Sequence, residues 1–308
     1  MVLDSPVPGP IRIQSSYKFS SPEDSLCESL ASRPETVPIS QDTYIGRLAP
    51  TPTGELHVGH ASTFLTAWKR ARASKGRLIL RIEDLDTARC RPEFTDALIE
   101  DLHWLGIDWD GEPVFQSSRR PHYFAAWKSL RDRGFLYPCL RSRRELAALA
   151  PMAPHQEEPL FPSEWRGHPA DSLRHEKPDG INWRFRVPDG EEVIFEDQRL
   201  GAIRRVAGHD FGDFLVWNRD NIPAYELAVV VDDLAMGVTE IVRGEDLITS
   251  TARQILISRA LGGSYPATYH CPLIRDSAGR RLAKRDGASS LRTLRSQGLA
   301  QQDILHLT

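Results

Sequence analysis

Arg47-Leu48-Ala49-Pro50-Thr51-Pro52-Thr53-Gly54, followed at once by Glu55-Leu56-His57-Val58-Gly59-His60, decides the fold. Residues 44–49 read as a short strand. Pro50, Pro52 and Gly54 then force a turn. Helical spacing runs over about 58–74, with Phe64, Leu65 and Trp68 on one face. Residues 77–83 form a second apolar run. Strand, helix and strand in this order predict a right-handed βαβ unit with parallel strands.

Further helices are expected over 92–105 and 122–133, the second stopped by Gly134. From Pro138 to about Gly180 prolines become frequent and periodicity fades. This predicts an insertion between two halves of a split sheet domain. Strand-like runs return at 182–187, 192–195 and 214–217. Residues 228–231 and 239–242 are apolar and β-branched, and are read alongside them. A helix is expected over about 249–261, and a last short one from near Ser290.

The bulk composition bounds the function class. The chain has 308 residues, 40% hydrophobic and 26% charged, as in a soluble globular protein of about two domains. A formal net charge of -3 excludes a globally basic nucleic-acid binder, but not a local basic face. Arginine clusters occur at 119–120, 141–144 and 280–285; the ordinary reading of any one is solvated surface. Cys27, Cys90, Cys139 and Cys271 are scattered, with no Cys-x-x-Cys pair, which fits a reducing cytosol. No window of about 18 apolar residues suggests a membrane span, and no apolar signal-peptide core precedes the fold. Residues 1–42, rich in Ser, Pro and Glu, are expected to be a disordered leader.

Two segments carry the chemistry. His57 and His60 are three residues apart and share a face if helical. Gly59 between them permits close approach of a ligand to the backbone. A helix N-terminus offers N–H groups and the positive dipole end to phosphate. Half a zinc site, or two surface histidines, is the alternative; a metal site needs further ligands, and none is supplied locally. The second segment is the basic loop Arg281-Leu282-Ala283-Lys284-Arg285. Lys284 is a mobile point charge able to follow a leaving pyrophosphate, and Gly279 and Gly287 flank it. Alone, this loop reads equally as solvated surface.

Together these motifs resemble the class I aminoacyl-tRNA synthetases, specifically the glutamyl branch. Residues 47–54 with His57-Val58-Gly59-His60 are similar to its nucleotide motif. Arg81-Ile82-Glu83-Asp84-Leu85-Asp86, Val242-Arg243-Gly244-Glu245-Asp246 and 281–285 are similar to its later signatures. The resemblance spans 44–308. It implies an α/β fold with a doubly wound parallel nucleotide-binding sheet, split by an insertion, and a truncated C-terminal helical part. The implied layout is a leader over 1–42 and the first catalytic half over 43–137. An insertion contacting the acceptor RNA follows over 138–200, then the second half over 201–275. The basic ATP loop and short helical part occupy 276–308, with no anticodon-binding domain.

The resemblance implies L-glutamate binding by Arg47, Ala49, Thr51, Glu83, Tyr225 and Arg243, and ATP binding by His57, Gly59, His60 and Lys284. Each assignment has a physical sense. Arginine forks suit two carboxylates, Glu83 suits the ammonium, and Tyr225 can donate or accept. ATP with Mg2+ is implied. The loop departs from the family's Lys-Met-Ser-Lys-Ser pattern, with Arg281 for the first lysine and Ala283 for the serine. The family's zinc site also departs. Cys139 stands in the first ligand position, but Arg141, Phe161 and Trp165 occupy the other three, so zinc is not expected and aromatic repacking is.

Two features resemble the short members of the branch: the chain stops soon after Lys284, and Val229 stands where full-length enzymes tend to carry Asn. Glutamate activation would then need no tRNA. The implied acceptor is the queuosine base in the anticodon stem-loop of tRNA(Asp), with a cytoplasmic monomer as the working form. A truncated synthetase charging a tRNA 3′ end, a small-molecule nucleotidyltransferase and a catalytically silent RNA-binding paralogue stay open here.

Overall fold

The Tyr44 carbonyl accepts the N–H of Arg77 at 2.8 Å, closing two strands onto each other at their starts. In the computed structural model these are β1 (Ile45–Leu48) and β2 (Arg77–Ile82), joined by α1 (Val58–Ala73). They run parallel, with Ile45 opposite Arg77 and Leu48 opposite Leu80. A Cβ at Gly76 would lie 2.5 Å from the Tyr44 carbonyl oxygen, so the close approach at this corner requires glycine. The structure describes residues 43–141, 143–149, 159–274 and 290–307. The leader expected over 1–42 and the loop carrying Lys284 lie outside the described residues.

The chain continues through α2 (Pro92–Trp104), β3 (Val114–Phe115), α3 (Arg120–Asp132), β4 (Leu136–Cys139), α4 (Arg143–Leu149), α5 (Pro169–Ser172) and β5 (Asn182–Phe185). Next come β6 (Glu192–Asp197), β7 (Gly201–Val206), β8 (Phe214–Trp217), α6 (Tyr225–Ala235), β9 (Glu240–Gly244), α7 (Ile248–Ala260) and β10 (Ala267–Cys271). α8 (Leu291–Ser296) and α9 (Gln301–Leu307) close the described chain.

One sheet has the order β1-β2-β3, all parallel. A second has the order β7-β6-β10-β9; β6, β10 and β9 are parallel and β7 is an antiparallel edge. β9 lies beside β1. The Thr239 N–H donates to the Ile45 carbonyl at 2.8 Å, and Arg47 Nη1 donates to the Val242 carbonyl at 3.1 Å. The strand order therefore reverses between β1 and β9, which makes their carboxyl ends a switch point. Helices cover both faces. Leu78, Leu80 and Ile82 pack with α1 and α2 residues, whereas Arg81, pointing the other way, reaches Asp233 on α6. This is the α/β class expected from the sequence.

A third, antiparallel sheet, β4-β5-β8, draws its strands from both sides of residue 200. Trp127, Trp183 and Trp217 are fully buried against it.

The strand-like reading of 228–231 is corrected. These residues lie inside α6. Leu227 to Asp233 are buried in succession, so no amphipathic period marks the helix, and four apolar residues cannot distinguish a buried helix from a buried strand. β3, β4, β7 and β10 are additional to the sequence reading. β3 spans two residues, and β7 alternates half-buried with exposed positions.

Candidate functional site

A cleft of about 500 Å³ opens at the switch point, within the size of small-molecule sites. Arg47, Ala49, Thr51, Glu83, Tyr225 and Arg243 line it, and so do His57, Gly59 and His60. The structure thus brings together nine positions scattered over nearly two hundred residues. Lys284 lies outside the described residues. Gly244, Asp246, Leu247 and Leu273 are further lining residues that the sequence reading did not assign.

The histidines are organised by capping. His57 is the N-cap of α1; its Nδ1 accepts the Gly59 N–H at 3.1 Å, and His60 Nδ1 accepts the His57 N–H at 3.3 Å. The rings stack with centroids 3.8 Å apart. With Nδ1 an acceptor, each neutral ring carries its proton on Nε2, so Nε2 is the donor edge. This differs from the expectation of an open helix N-terminus, since part of it is closed by the protein itself. Gly59 gains a second reason: a Cβ there would meet His57 Cε1 at 3.0 Å, so the glycine lets that ring fold back.

The arginines are set more deeply. Arg243 Nη1 donates to Gln254 Oε1 at 2.8 Å and to the Tyr225 hydroxyl at 3.3 Å. Its Nη2 donates to Thr251 Oγ1 at 2.6 Å and to the Tyr265 hydroxyl at 3.1 Å. Every one of these acceptors is neutral, and among the described residues no carboxylate makes a salt bridge to Arg243. Its Nε–H has no hydrogen-bond partner. Arg47 Nε, 3.5 Å from Asp233 Oδ1, is likewise without a hydrogen bond. Burial opposes the Arg243 charge, yet the hydroxyls and Glu226 around it hold the guanidinium above its ordinary value. Two buried cations with incompletely satisfied donors face one cleft, which suits an anionic ligand.

Glu83 supplies the opposite sign. It is 7% exposed and accepts from Arg81 Nη2 at 3.2 Å. Burial pushes its carboxyl above the usual range, against the pull of Arg81 and Arg47. Arg81 in turn donates to Asp233 Oδ1 at 2.6 Å. Asp232 accepts from Gln116 and Tyr123, each at 2.8 Å, and from Arg119 at 2.6 Å. This floor of paired charges fixes β2 against α6.

Thr251, Gln254 and Tyr265 were missed by sequence reasoning. Thr251 and Gln254 are three apart on α7 and share one helix face, the one local signal that was available. Val229, one turn beyond Tyr225, is 1% exposed.

Where the resemblance implied a zinc site in the family, Cys139 is buried with Tyr137 and Phe161, and Trp165 packs against them. The Arg141 guanidinium lies 4.8 Å over the Trp165 ring and that of Arg184 lies 4.3 Å over Phe161. One thiol among aromatic rings and guanidinium groups does not fit a tetrahedral zinc site. Among the described residues no group of three His, Cys, Asp or Glu side chains could hold a metal ion.

A parallel sheet with this switch-point cleft is the architecture of a nucleotide-binding catalytic domain, and the chain belongs to the class I tRNA synthetases (E and Q), whose catalytic-domain model matches residues 45–307. It is 45% identical over 273 residues to a glutamyl-Q tRNA(Asp) synthetase of Symbiobacterium thermophilum, covering 84% of each chain. It is 44% identical over 275 residues to one of Rhodopirellula baltica, covering 84% of this chain and 82% of that one. A glutamate–tRNA ligase of Nostoc punctiforme is 38% identical, over 84% of this chain and 56% of its own. Among solved structures, glutamate-tRNA synthetase from Elizabethkingia anophelis aligns with a TM-score of 0.67 at 26% identity, over 80% of this chain and 53% of that one. This chain therefore spans about half the length of that enzyme. Among the described residues no helix is long and apolar enough to cross a membrane.

Proposed function

We propose that this protein activates L-glutamate with ATP and transfers it to the queuosine base in the anticodon loop of tRNA(Asp). The observation that carries the activation step is the pair of buried arginines, Arg47 and Arg243, opening with Glu83 into one cleft that His57 and His60 also line. Glutamate carries two carboxylates and one ammonium. The site offers two guanidinium groups and one carboxylate in return, with the donors of Arg47 and Arg243 only partly satisfied by the protein.

In the first step a glutamate carboxylate oxygen attacks the α-phosphorus of ATP. The bond to the bridging oxygen breaks, and pyrophosphate leaves with that electron pair. The protein's part is positioning and charge stabilisation. Arg47 and Arg243 orient the nucleophile. The Nε2–H edges of His57 and His60 donate to phosphate oxygens, and Lys284 follows the departing pyrophosphate. Magnesium bound with ATP would offset the phosphate charge, and it would need no dedicated protein cage. In the second step a hydroxyl of the acceptor attacks the acyl carbon, AMP leaves, and an ester forms.

The acceptor reading rests on the relatives bearing the glutamyl-Q tRNA(Asp) synthetase name, 84% and 82% of whose chains the match covers. A second cleft, of about 470 Å³, supports an RNA partner at the insertion. Arg141, Trp165, Arg174 and His175 line it, combining cationic and aromatic groups that suit phosphates and splayed bases. We take the enzyme to act in the cytoplasm as a monomer.

Glutamate-dependent exchange between ATP and pyrophosphate, with no RNA present, tests the activation step. Exchange with glutamate alone is expected; its absence would overturn the reading.

A further inference from the structure

We infer that Asp197, His270 and Thr251 are positioning residues for glutamate, acting through Arg243 as a directional hydrogen-bond relay. This inference rests on the proposed role of Arg243 in holding a substrate carboxylate.

The relay follows from register. In the β9–β10 ladder His270 pairs with Arg243. Partners in a parallel ladder emerge on the same face, so the imidazole and the guanidinium approach the same region of α7. Thr251 on α7 stands between them. Arg243 Nη2 donates to Thr251 Oγ1 at 2.6 Å. Thr251 Oγ1 lies 2.9 Å from His270 Nε2, and His270 Nδ1 lies 2.7 Å from Asp197 Oδ2. Thr251, His270 and Asp197 are all 1% exposed or less.

The proton directions are fixed by the two ends. An arginine can only donate, and an ionised carboxylate can only accept. His270 must therefore donate from Nδ1 to Asp197, which leaves Nε2 as an acceptor. The Thr251 hydroxyl must then donate to Nε2 and offer its oxygen to Arg243. The competing acceptor for that hydroxyl, the Leu247 carbonyl, is farther away at 3.3 Å.

Asp197 is itself immobilised. Its Oδ1 accepts the N–H groups of Arg199 at 3.1 Å and Leu200 at 3.0 Å, and Oδ2 also accepts the His270 N–H at 3.0 Å. The carboxylate thus sets the imidazole tautomer, the tautomer sets the hydroxyl rotor, and the rotor presents a lone pair to Arg243. On the other side Gln254 Oε1 accepts from Arg243, while Gln254 Nε2 donates to Glu226 Oε2 at 2.8 Å. Arg243 is clamped from both sides, yet each group touching it is neutral. The relay fixes the fork without neutralising the charge needed for substrate.

The test combines exchange kinetics with imidazole 15N NMR. Thr251→Val keeps the shape but removes the relay's centre. We expect the glutamate KM to rise about 10- to 100-fold, as for loss of a hydrogen bond to a charged group, with the ATP KM within about 2-fold. Thr251→Ser restores the hydroxyl and should return glutamate KM to within about 3-fold of wild type. Asp197→Asn has one oxygen where two serve four donors; it should raise glutamate KM without touching Arg243. In the wild type, His270 should show a protonated Nδ1 and a bare Nε2.

An unchanged glutamate KM in Thr251→Val, failure of Thr251→Ser to rescue, or a His270 proton on Nε2 would overturn the relay. If Thr251→Val does not fold, Asp197→Asn and the wild-type tautomer decide. A wild type without glutamate-dependent exchange would instead overturn the functional reading, and the glutamate role of the relay with it. The tautomer measurement would still judge the relay's proton directions separately.

Discussion

Arg81 on β2 and Asp233 on α6 are joined by a 2.6 Å hydrogen-bonded ion pair from which water is almost wholly excluded. The pair anchors the floor of the cleft, because Arg81 also donates to Glu83. Removing one partner from such a site strands the other charge. Arg81→Met should therefore lose about 3–5 kcal/mol of stability. Urea titration of the variant beside the wild type measures this, and a loss near zero would mean that the floor tolerates unpaired carboxylates.

Substrate choice should follow the guanidinium groups of Arg47 and Arg243, whose donors the protein satisfies only in part. A glutamine amide offers one oxygen and two N–H groups where a carboxylate offers two acceptors, so an arginine donor would face another donor. We expect exchange with glutamine or aspartate to fall at least about 100-fold below that with glutamate. Arg243→Lys should lose glutamate use while keeping the fold, since a point charge does not replace a fork. Equal exchange rates with glutamine would contradict the assignment of both arginines to carboxylates.

Lys284 is assigned to the phosphates. Its charge matters most as pyrophosphate separates, so Lys284→Ala should slow single-turnover adenylate formation by about 100-fold. Glutamate affinity should stay within about 2-fold. Rapid-quench measurement separates the two, and an unchanged rate would remove Lys284 from the machinery.

Asp101 on α2 supplies a pH test of stability. It is 1% exposed, neither carboxylate oxygen has a hydrogen-bond partner, and Arg295 Nη1 is 4.0 Å away. Burial pushes its carboxyl up to about 6, against the pull of Arg295. The native state therefore holds a proton that the unfolded chain, with its ordinary value of 3.8, has released. This group's contribution to stability is greatest below pH 4 and falls as pH rises toward 6 and beyond. Asp101→Asn should stabilise the protein by about 1–2 kcal/mol above pH 6, and the gain should fade as pH falls toward 4. Melting curves at pH 7.5 and 4.5, about three units apart, should show that loss of advantage.

The βαβ core was legible because its signals were local. A turn of prolines and glycine lay between an apolar strand and a periodic helix. The nine residues that share the cleft were singled out through the family resemblance of the motifs that carry them and, outside His57-Val58-Gly59-His60, not through a local signal of their own. α6 misled because Leu227 to Asp233 are buried on every side, which erases the helical period. Apart from Tyr225, the groups holding Arg243 were not legible. Thr251, Gln254, Tyr265 and His270 lie 8 to 27 residues beyond it, and only the pairing of β9 with β10 and the packing of α7 bring them together. An isolated buried histidine or threonine carries no sign of its partner. The capping geometry was likewise hidden: His57-Val58-Gly59-His60 reads as an open phosphate site until the ring of His57 is seen folded onto the Gly59 N–H.

The acceptor is the central claim, and mapping the glutamyl ester tests it most directly. Labelled glutamate and ATP are supplied with tRNA(Asp) containing queuosine, the same tRNA with unmodified guanosine, or tRNA(Glu). Nuclease digestion then locates the label. The account predicts an alkali-labile ester on the queuosine nucleoside of tRNA(Asp), formed less readily as salt rises because phosphate contacts contribute to binding. Label on the 3′ adenosine, or tRNA(Glu) as the best substrate, would contradict it and identify a truncated glutamyl-tRNA synthetase instead.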